Sequence, residues 1–442
     1  MTPHSFRDIW KISGPIMLSL LAQNIVGVTD TAFLGRVGEV ELGASAIGGV
    51  FYLILYMVIF GFTTGVQILI ARRSGEKNHA AIGRIFDNSF YFVGVVSLLF
   101  TTVIFFFGPL FLRMFLSSDA IFQASSVFLK YRVLGLFFAS CALLFRSFYT
   151  GISFTKYLSI SAAIMAVLNI ILDYALIFGH WGFPQMGIKG AGIASSISEA
   201  CALLFFVLVT RENKRLQQYK LFALVKPDFA IIRRTLRTSI FVMMQFVLSF
   251  GSWFVFFMMI EKMGERSLAV SNIIRSVYIF LMIPGWAFGS VTSTLVSEAL
   301  GEGKPENVIP IIYQIVKYSF ISLSVVILIA LVFPHLAISV YTNDLDLARA
   351  TLPSFYIILG ALAIFSVMSV FFNGVLGTAN TKTSLLIEAV TLSAYLGFTW
   401  LSAVHLKLAI EWVWMAEYVY FILIGLLSLW YLKKGEWRTK KV

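Results

Sequence analysis

The sequence predicts an all-α membrane protein of twelve transmembrane helices in two six-helix lobes related by pseudo-twofold symmetry. Of its 442 residues, 59% are hydrophobic and 13% are charged, a composition far from that of water-soluble domains. Residues 42–71, 238–260 and 351–377 contain no charged side chain, and each run exceeds the roughly 20 residues that cross a bilayer. The second half of the chain also repeats the first, so we expect the spans to divide equally between two lobes.

Apolar runs bounded by charged residues, glycine and proline define the individual helices. A membrane β-barrel would instead alternate apolar and polar residues over segments of about ten, and the sequence has no such pattern. The predicted spans are residues 12–34, 42–72, 85–108, 126–150, 157–179, 188–210, 236–260, 267–297, 309–333, 351–377, 383–404 and 410–432.

Lysine and arginine are unevenly distributed among the segments that join the spans. When the N-terminus faces the cytoplasm, the inward segments carry 23 of the 34 basic residues, with Arg146 counted among them. This bias predicts a multi-pass protein of the cell inner membrane with both termini cytoplasmic. Basic loops beside an anionic leaflet account for the net charge of +12, so we expect no nucleic-acid partner.

The two halves of the chain match at a constant offset of 226, which pairs position 38 with position 264. In the window 38–76, 11 of 39 positions carry the same amino acid at this offset, and it also aligns Gly151 with Gly377. Six helices per repeat give both halves the same orientation, related by an axis along the membrane normal. The predicted organisation is an N-terminal lobe at 1–210, a cytoplasmic inter-lobe linker at 211–235 and a C-terminal lobe at 236–442.

Two aspartates lie at matching depths in the N-terminal half. An ionised side chain inside the bilayer costs roughly 2.5 to 3.5 kcal/mol on insertion scales, so such residues are candidates for function. Asp30 lies deep in the first span, and Asn169 and Asp173 share a face of the fifth. Each aspartate lies about 25–30 Å past the cytoplasmic end of its span at 1.5 Å per residue. Two carboxylates facing one cavity repel each other, and binding of a proton or a sodium ion would relieve the repulsion. The alternative is that each aspartate caps a broken helix or bonds to nearby backbone.

Uncharged polar residues and a proline add to this prediction. Pro15 removes a backbone hydrogen bond and is predicted to let the first span bend, unless it only marks the start of the helix. Gln23 lies on the same helical face as Asp30. The residues predicted to line a substrate cavity are Gln23, Gln245, Asn272 and Arg275.

Other ionisable residues fall within the predicted spans of both halves. Lys317 and Glu388 are close enough to the cytoplasmic side to extend toward water. Arg275 and Lys317 can line the second lobe's cavity or pair with Glu388 or Glu417. Glu199 and Glu417 are further candidates for contact with a cationic substrate.

Enzyme signatures are absent from the sequence. It contains no Gly-x-x-x-x-Gly-Lys-[Ser/Thr] loop and no His-Glu-x-x-His zinc motif, and its five histidines are scattered. We therefore expect no enzymatic activity and no cofactor. Energy for transport would come from an ion gradient, each charge being worth about 2.3 kcal/mol per 100 mV.

Taken together, the chain resembles the multidrug and toxic compound extrusion (MATE) transporters over essentially its whole length, and is similar to their DinF-like branch. The motifs that carry the resemblance are Gly14-Pro15, Val28-Thr29-Asp30-Thr31, Leu34-Gly35 before Gly38, Asn169-x-x-x-Asp173, the run from Gly187 to Ser195 and the duplicated Gly-x-x-x-Thr-Lys turns.

The resemblance implies an ion-coupling site made of Asp30, Asn169, Asp173 and Ser195, with a proton as the coupling ion or sodium held by the first three. It also implies export of organic, often cationic, compounds. The sequence departs from the sodium-coupled bacterial branch, which carries acids in the seventh and tenth spans. Here the seventh span has Gln245 and the tenth has no acid, which favours coupling in the N-terminal lobe.

The leading hypothesis is a monomeric secondary active multidrug efflux transporter that exchanges small organic molecules for protons or sodium across the lipid bilayer by alternating access. One alternative is a lipid-linked precursor flippase of the same superfamily, whose members more often have further spans and a basic cavity. The other is an ion channel, which would conduct without obligatory exchange.

Overall fold

The computed structural model describes residues 5–223 and 226–439, and these are helical nearly throughout. They form fifteen α-helices and no β-strand. Twelve of the helical segments described are long and apolar enough to cross a membrane. The predicted all-α membrane fold with twelve spans is therefore confirmed.

Seven helices form the N-terminal half, because the fourth span is divided in two. Polar side chains and glycine define several helix ends. Asn78 Oδ1 accepts a hydrogen bond from Ala81 N (3.1 Å) at the start of the third helix. Gly179 ends the sixth in the left-handed region at φ 77°. The helices are α1 (Phe6–Val37), α2 (Glu39–Gly75), α3 (His79–Arg113), α4 (Asp119–Arg132), α5 (Leu134–Gly151), α6 (Lys156–Phe178) and α7 (Ile188–Glu212).

Eight helices form the C-terminal half. Two of them begin at an aspartate whose carboxylate accepts from the first backbone amides: Asp228 from Ala230 N (2.9 Å) and Asp344 from Asp346 N (2.8 Å). The segment Trp400–His405 continues the thirteenth helix as a π-helix. The helices are α8 (Phe229–Glu261), α9 (Glu265–Gly301), α10 (Val308–Val332), α11 (Pro334–Ser339), α12 (Leu345–Gly377), α13 (Thr381–Thr399), α14 (Ile410–Val413) and α15 (Ala416–Lys434).

The internal repeat is visible in the helix bounds and in the turns. Helices α2 and α9 correspond at both ends in the register of the repeat, since Glu39 pairs with Glu265 and Gly75 with Gly301. Positive φ angles recur in the same register: position 77 (55°) corresponds to position 303 (73°), and position 153 (56°) corresponds to position 379 (61°). The two halves therefore share backbone conformation as well as sequence.

Gly151 and Gly377 show why the repeat preserves particular residues. A Cβ atom at Gly151 would lie 2.8 Å from Ile70, and one at Gly377 would lie 2.7 Å from the carbonyl oxygen of Ser293 and 2.9 Å from Val296. Val296 is the residue that the repeat pairs with Ile70. In each half, two helices approach at the same place so closely that only glycine fits.

The halves differ in their fourth span. Helices α4 and α5 together occupy the positions that the repeat pairs with the single helix α12. A turn at Val133 interrupts the first, whereas the corresponding Leu359 continues the second. The Val133 carbonyl accepts a hydrogen bond from Thr101 Oγ1 (3.2 Å), which supplies a partner at the break. The interruption directly follows Arg132, a residue of the site described below.

Packing divides the described chain into two compact units. The first unit is Leu18–Met243, and the second unit is the remainder of the described chain. Within the first unit, α2 packs against α4 and α5, and α7 against α4, α5 and α6. Within the second unit, α12 packs against α9, α10 and α15. The lobe and linker boundaries at 210 and 236 stay a prediction from the repeat.

Candidate functional site

A cavity of about 480 Å³ lies within the first unit. Helices α1, α2, α4, α5, α6 and α7 all contribute to its wall. Much of the wall is apolar, with side chains such as Leu143, Met165 and Phe206, and a few polar groups project into it. A cavity of this size and composition suits a small organic molecule.

Four residues of the predicted ion site come together beside this cavity. Asp30 of α1, Asn169 of α6 and Ser195 of α7 line it, and Asp173 lies completely buried behind. With its nitrogen turned toward the carboxylates, the Asn169 amide donates to Asp30 Oδ1 (2.9 Å) and Asp173 Oδ2 (3.3 Å). The opposite side of the amide lies 3.4 Å from Ser195 Oγ.

The carboxyl groups of Asp30 and Asp173 lie close together, and one of their oxygens lacks a hydrogen-bond partner in the described part of the chain. Both carboxyl groups lie within hydrogen-bonding distance of the Asn169 amide nitrogen, so two negative charges at this place would repel each other. Asp173 Oδ1 is buried and has no hydrogen-bond partner among the described residues. A buried carboxylate oxygen without a donor favours binding of a proton or a cation at this place.

Local structure of α6 and α7 explains how the cluster forms. Asn169 and Asp173 are four residues apart and therefore lie one above the other on α6. The segment after α6 folds back on it, because Met186 N donates to Leu176 O (2.8 Å) and Gly187 N to Ile177 O (3.2 Å). This return lets α7 start beside the end of α6 and places Ser195 next to the Asn169 amide.

A buried ion pair that the sequence analysis missed crosses the same cavity. Arg132 donates to Glu199 through both terminal nitrogens, at 2.9 Å and 2.7 Å, and Tyr52 donates to the same carboxylate (3.0 Å). The Arg132 guanidinium also lies 3.7 Å from the centre of the Tyr52 ring. Glu199, considered above as a partner for a cationic substrate, is thus neutralised by the protein. The signal available in the sequence was a second charge, Arg132, inside the predicted span 126–150.

Arg146 lies in α5 and lines the cavity. It was counted above with a cytoplasmic segment, and the helix that contains it continues to Gly151. The neighbouring residues Phe145 and Ser147 are 0% and 5% exposed, so this turn of the helix is enclosed by protein. The cavity therefore contains two arginines, of which one is paired with a glutamate.

Glu388 is enclosed in the second unit. The residue is 1% exposed, and its Oε1 accepts hydrogen bonds from Ser249 Oγ (2.6 Å) and Tyr420 OH (2.8 Å). The expectation that Glu388 extends toward water was therefore wrong. The reason is that its face of α13 packs on α15, where Tyr420 lies.

Glu417 and Arg275, also in the second unit, do not pair. Glu417 accepts from Tyr278 OH (2.9 Å) and Tyr395 OH (3.2 Å). The Arg275 guanidinium instead lies 5.2 Å from the centre of the Phe257 ring. No ion pair joins Arg275 to either glutamate in the part of the chain that the structure describes.

The remaining predicted residues are divided between the two units. Gln23 lies on the wall of the first unit's cavity and donates to Ser19 Oγ (3.3 Å). Pro15 is inside α1, which begins at Phe6, so the alternative that it marks the start of the helix was wrong. Gln245, Asn272 and Arg275 belong to the second unit, and their role in a substrate cavity stays a prediction.

The cluster can bind a small cation in chemical terms. Asp30 and Asp173 supply carboxylate oxygens, which hard cations prefer, and rotation of the Asn169 amide would add its carbonyl oxygen. Across the described residues no group of three or more histidine, cysteine, aspartate or glutamate side chains could hold a metal ion. A site of two carboxylates is suited to an ion that binds and leaves during each cycle.

The sequence and the fold of this chain match those of a known protein family. A family model for MatE matches residues 15–175 and again residues 241–401. Both the starts and the ends of the two matches correspond in the register of the internal repeat. The two matches together cover well over half of the chain.

Individual relatives match along the whole length. The chain is 25% identical over 450 residues to the "Probable multidrug resistance protein NorM" of Thermotoga maritima, covering 100% of this chain and 95% of that protein. It is 24% identical over 462 residues to the protein of the same name from Synechocystis, with 99% and 96% covered. The structure of the Vibrio cholerae MATE transporter VcmN superposes with a TM-score of 0.89 at 15% identity, covering 98% of each chain, and so shares the fold. Because the family model matches both halves in the register of the repeat, the chain belongs to the MATE family of membrane transporters.

Proposed function

We propose that this protein is a secondary active multidrug efflux transporter that exchanges small organic, often cationic, compounds for protons or sodium by alternating access. The observation that carries the proposal is the placement of the Asp30 and Asp173 carboxyl groups around one Asn169 amide, beside a largely apolar cavity. The names of its relatives as multidrug resistance proteins support drugs as the cargo.

Exchange follows from competition for the same two carboxylates. A proton or sodium ion bound between Asp30 and Asp173 cancels the charge that would attract an organic cation to the cavity. A bound organic cation likewise disfavours the coupling ion. Because each ligand weakens binding of the other, the gradient of one can drive release of the other.

The test measures uptake of a fluorescent organic cation into proteoliposomes with an acidic lumen. Asp30→Asn and Asp173→Asn should each reduce pH-driven accumulation to the level of empty vesicles, because asparagine cannot exchange a proton. Asp346→Asn is a matched control, since the Asp346 side chain is 79% exposed and lies outside the cavity. Accumulation by either cavity variant at the rate of the unaltered protein would contradict the mechanism.

The identity of the coupling ion needs a second arrangement of the same vesicles. A sodium gradient imposed at equal pH should fail to drive accumulation if the proton is the coupling ion, as the absence of acids from the seventh and tenth spans suggests. Accumulation driven by sodium alone, and lost in Asp173→Asn, would assign sodium to the same site.

We also propose that the protein is a monomer in the inner membrane and that both of its termini lie in the cytoplasm. A protease-cleavable tag at either terminus should be cut in everted vesicles and protected in intact spheroplasts. Cleavage in spheroplasts would contradict the orientation, and a dimeric mass in detergent light scattering would contradict the monomer.

A further inference from the structure

Arg146 is the basic residue of the cavity for which the mechanism above has no use. Its side chain is half-buried and lines the cavity, on a turn of α5 whose neighbouring residues are enclosed. Charged groups inside a membrane span are costly and usually have a partner. A charged side chain at such a position is therefore expected to bind a group of opposite charge.

None of the described residues provides Arg146 with a counter-charge. Arg132 is neutralised by Glu199 through two hydrogen bonds, whereas the Arg146 guanidinium makes no hydrogen bond or ion pair with any described residue. Tyr56, which lines the same cavity, carries no charge at neutral pH and cannot act as a counter-ion. The guanidinium therefore faces the cavity with its donors available.

The charged groups of the cavity are separated along its helices. Arg132 lies over Tyr52, and Tyr56, one turn further along α2, lines the same cavity as Arg146. Arg132 is the last residue of α4, whereas Arg146 is within α5, beyond the interruption at Val133. The acidic cluster is on the Arg132 side, since Ser195 of the cluster and Glu199, the partner of Arg132, are one turn apart on α7. The cavity thus presents carboxyl groups in one part and a free guanidinium in another.

We propose that Arg146 binds the carboxylate of cargo that also carries a cationic group, so that the cavity prefers organic zwitterions to simple cations. Guanidinium binds carboxylate in a planar two-bond geometry, which gives both affinity and direction. The inference rests on the proposed exchange and deepens it by naming the substrate class.

The charges of the cavity favour zwitterions over simple anions. An anion would gain from protonation of Asp30 and Asp173, because the cavity becomes more positive, and would then travel with protons. A zwitterion keeps the competition at the acidic cluster through its cationic group, while its carboxylate engages Arg146. Exchange is preserved, and the apolar wall at Leu143 and Phe206 is free to contact the body of the molecule.

The experiment compares a fluorescent amino acid-type zwitterion with its methyl ester, which keeps the cationic group and lacks the carboxylate. Both are assayed in proteoliposomes with unaltered protein, Arg146→Gln, Arg146→Lys and the control Arg349→Gln, whose side chain is 77% exposed. Arg146→Gln should raise KM for the zwitterion by about tenfold or more, the usual effect of losing a charge-assisted bond, with kcat within about twofold. The ester should be unaffected, and Arg146→Lys should lie between.

An equal rise in KM for the zwitterion and the ester in Arg146→Gln would overturn the inference, because it would show that Arg146 only supports the structure. Unchanged KM for both would overturn it as well. Should Arg146→Gln not fold, Arg146→Lys decides alone: it must lower the preference for zwitterion over ester.

Binding of the two compounds to purified protein in detergent separates this inference from the proposed function. If neither compound is exchanged for protons, the exchange mechanism fails, but the ratio of the two dissociation constants still tests Arg146. That ratio should fall by about tenfold in Arg146→Gln.

Discussion

Removing the charge of Glu199 should destabilise the first unit more than any exposed charge can. In Glu199→Gln the Arg132 guanidinium loses both carboxylate contacts while staying buried, since the two side chains are only 16% and 12% exposed. Two unit charges about 4 Å apart attract by about 4 kcal/mol at an effective dielectric constant of 20. Breaking a buried pair by removing one partner costs about 3–5 kcal/mol. We therefore expect a loss of about 3 kcal/mol or more.

The assay is SDS-induced unfolding of purified protein, followed by tryptophan fluorescence, in a double-mutant cycle. Glu199→Gln and Arg132→Gln should each be strongly destabilising, because each leaves one buried charge. The double variant contains neither charge and should be less destabilised than either single variant. This gives a coupling energy of at least about 2 kcal/mol in the cycle.

An exposed pair in the same unit provides the comparison. Arg113 and Asp119 form an ion pair with side chains 54% and 80% exposed, and such pairs contribute about 0–1 kcal/mol. Arg113→Gln should therefore change stability little. A loss below about 1 kcal/mol in Glu199→Gln, or losses that simply add in the double variant, would refute the account of a buried pair.

Three further predictions follow from particular contacts. Asp87→Ala removes the acceptor of two linker amides, at 2.9 Å and 3.0 Å, so trypsin should cut within 211–235 faster than in unaltered protein; equal rates would contradict this anchoring. Gly377→Ala should cost about 1–3 kcal/mol because its Cβ would meet backbone, whereas Gly251→Ala, with open space around it, should be neutral or stabilising; similar unfolding midpoints for both would be inconsistent with that contact. Glu417→Leu should lower stability by about 2–5 kcal/mol by leaving two tyrosine hydroxyls without an acceptor, while Glu417→Gln stays within about 1 kcal/mol; thermal unfolding that ranks them in reverse would disprove the role of those bonds.

The ion cluster was predictable in part. Depth along a span follows from residue number at a constant rise, so Asp30 and Asp173 could be placed at one level. Asn169 and Asp173 share a face because they are four residues apart. The bonds from the Asn169 amide to both carboxylates depend on the rotation of α1 against α6, which depth alone does not give.

The number of spans, their approximate positions and the repeat were determined by the sequence alone, because each is a local property of hydrophobicity or of the chain compared with itself. Only the tertiary structure decided three other features: that Arg132 pairs with Glu199, that Arg146 lines the cavity, and that Glu388 is buried. Successive residues of a helix point about 100° apart, so a shift of one residue in helix rotation moves a side chain from lipid to protein or cavity. That rotation is set by the neighbouring helices, which lie tens of residues away in the sequence.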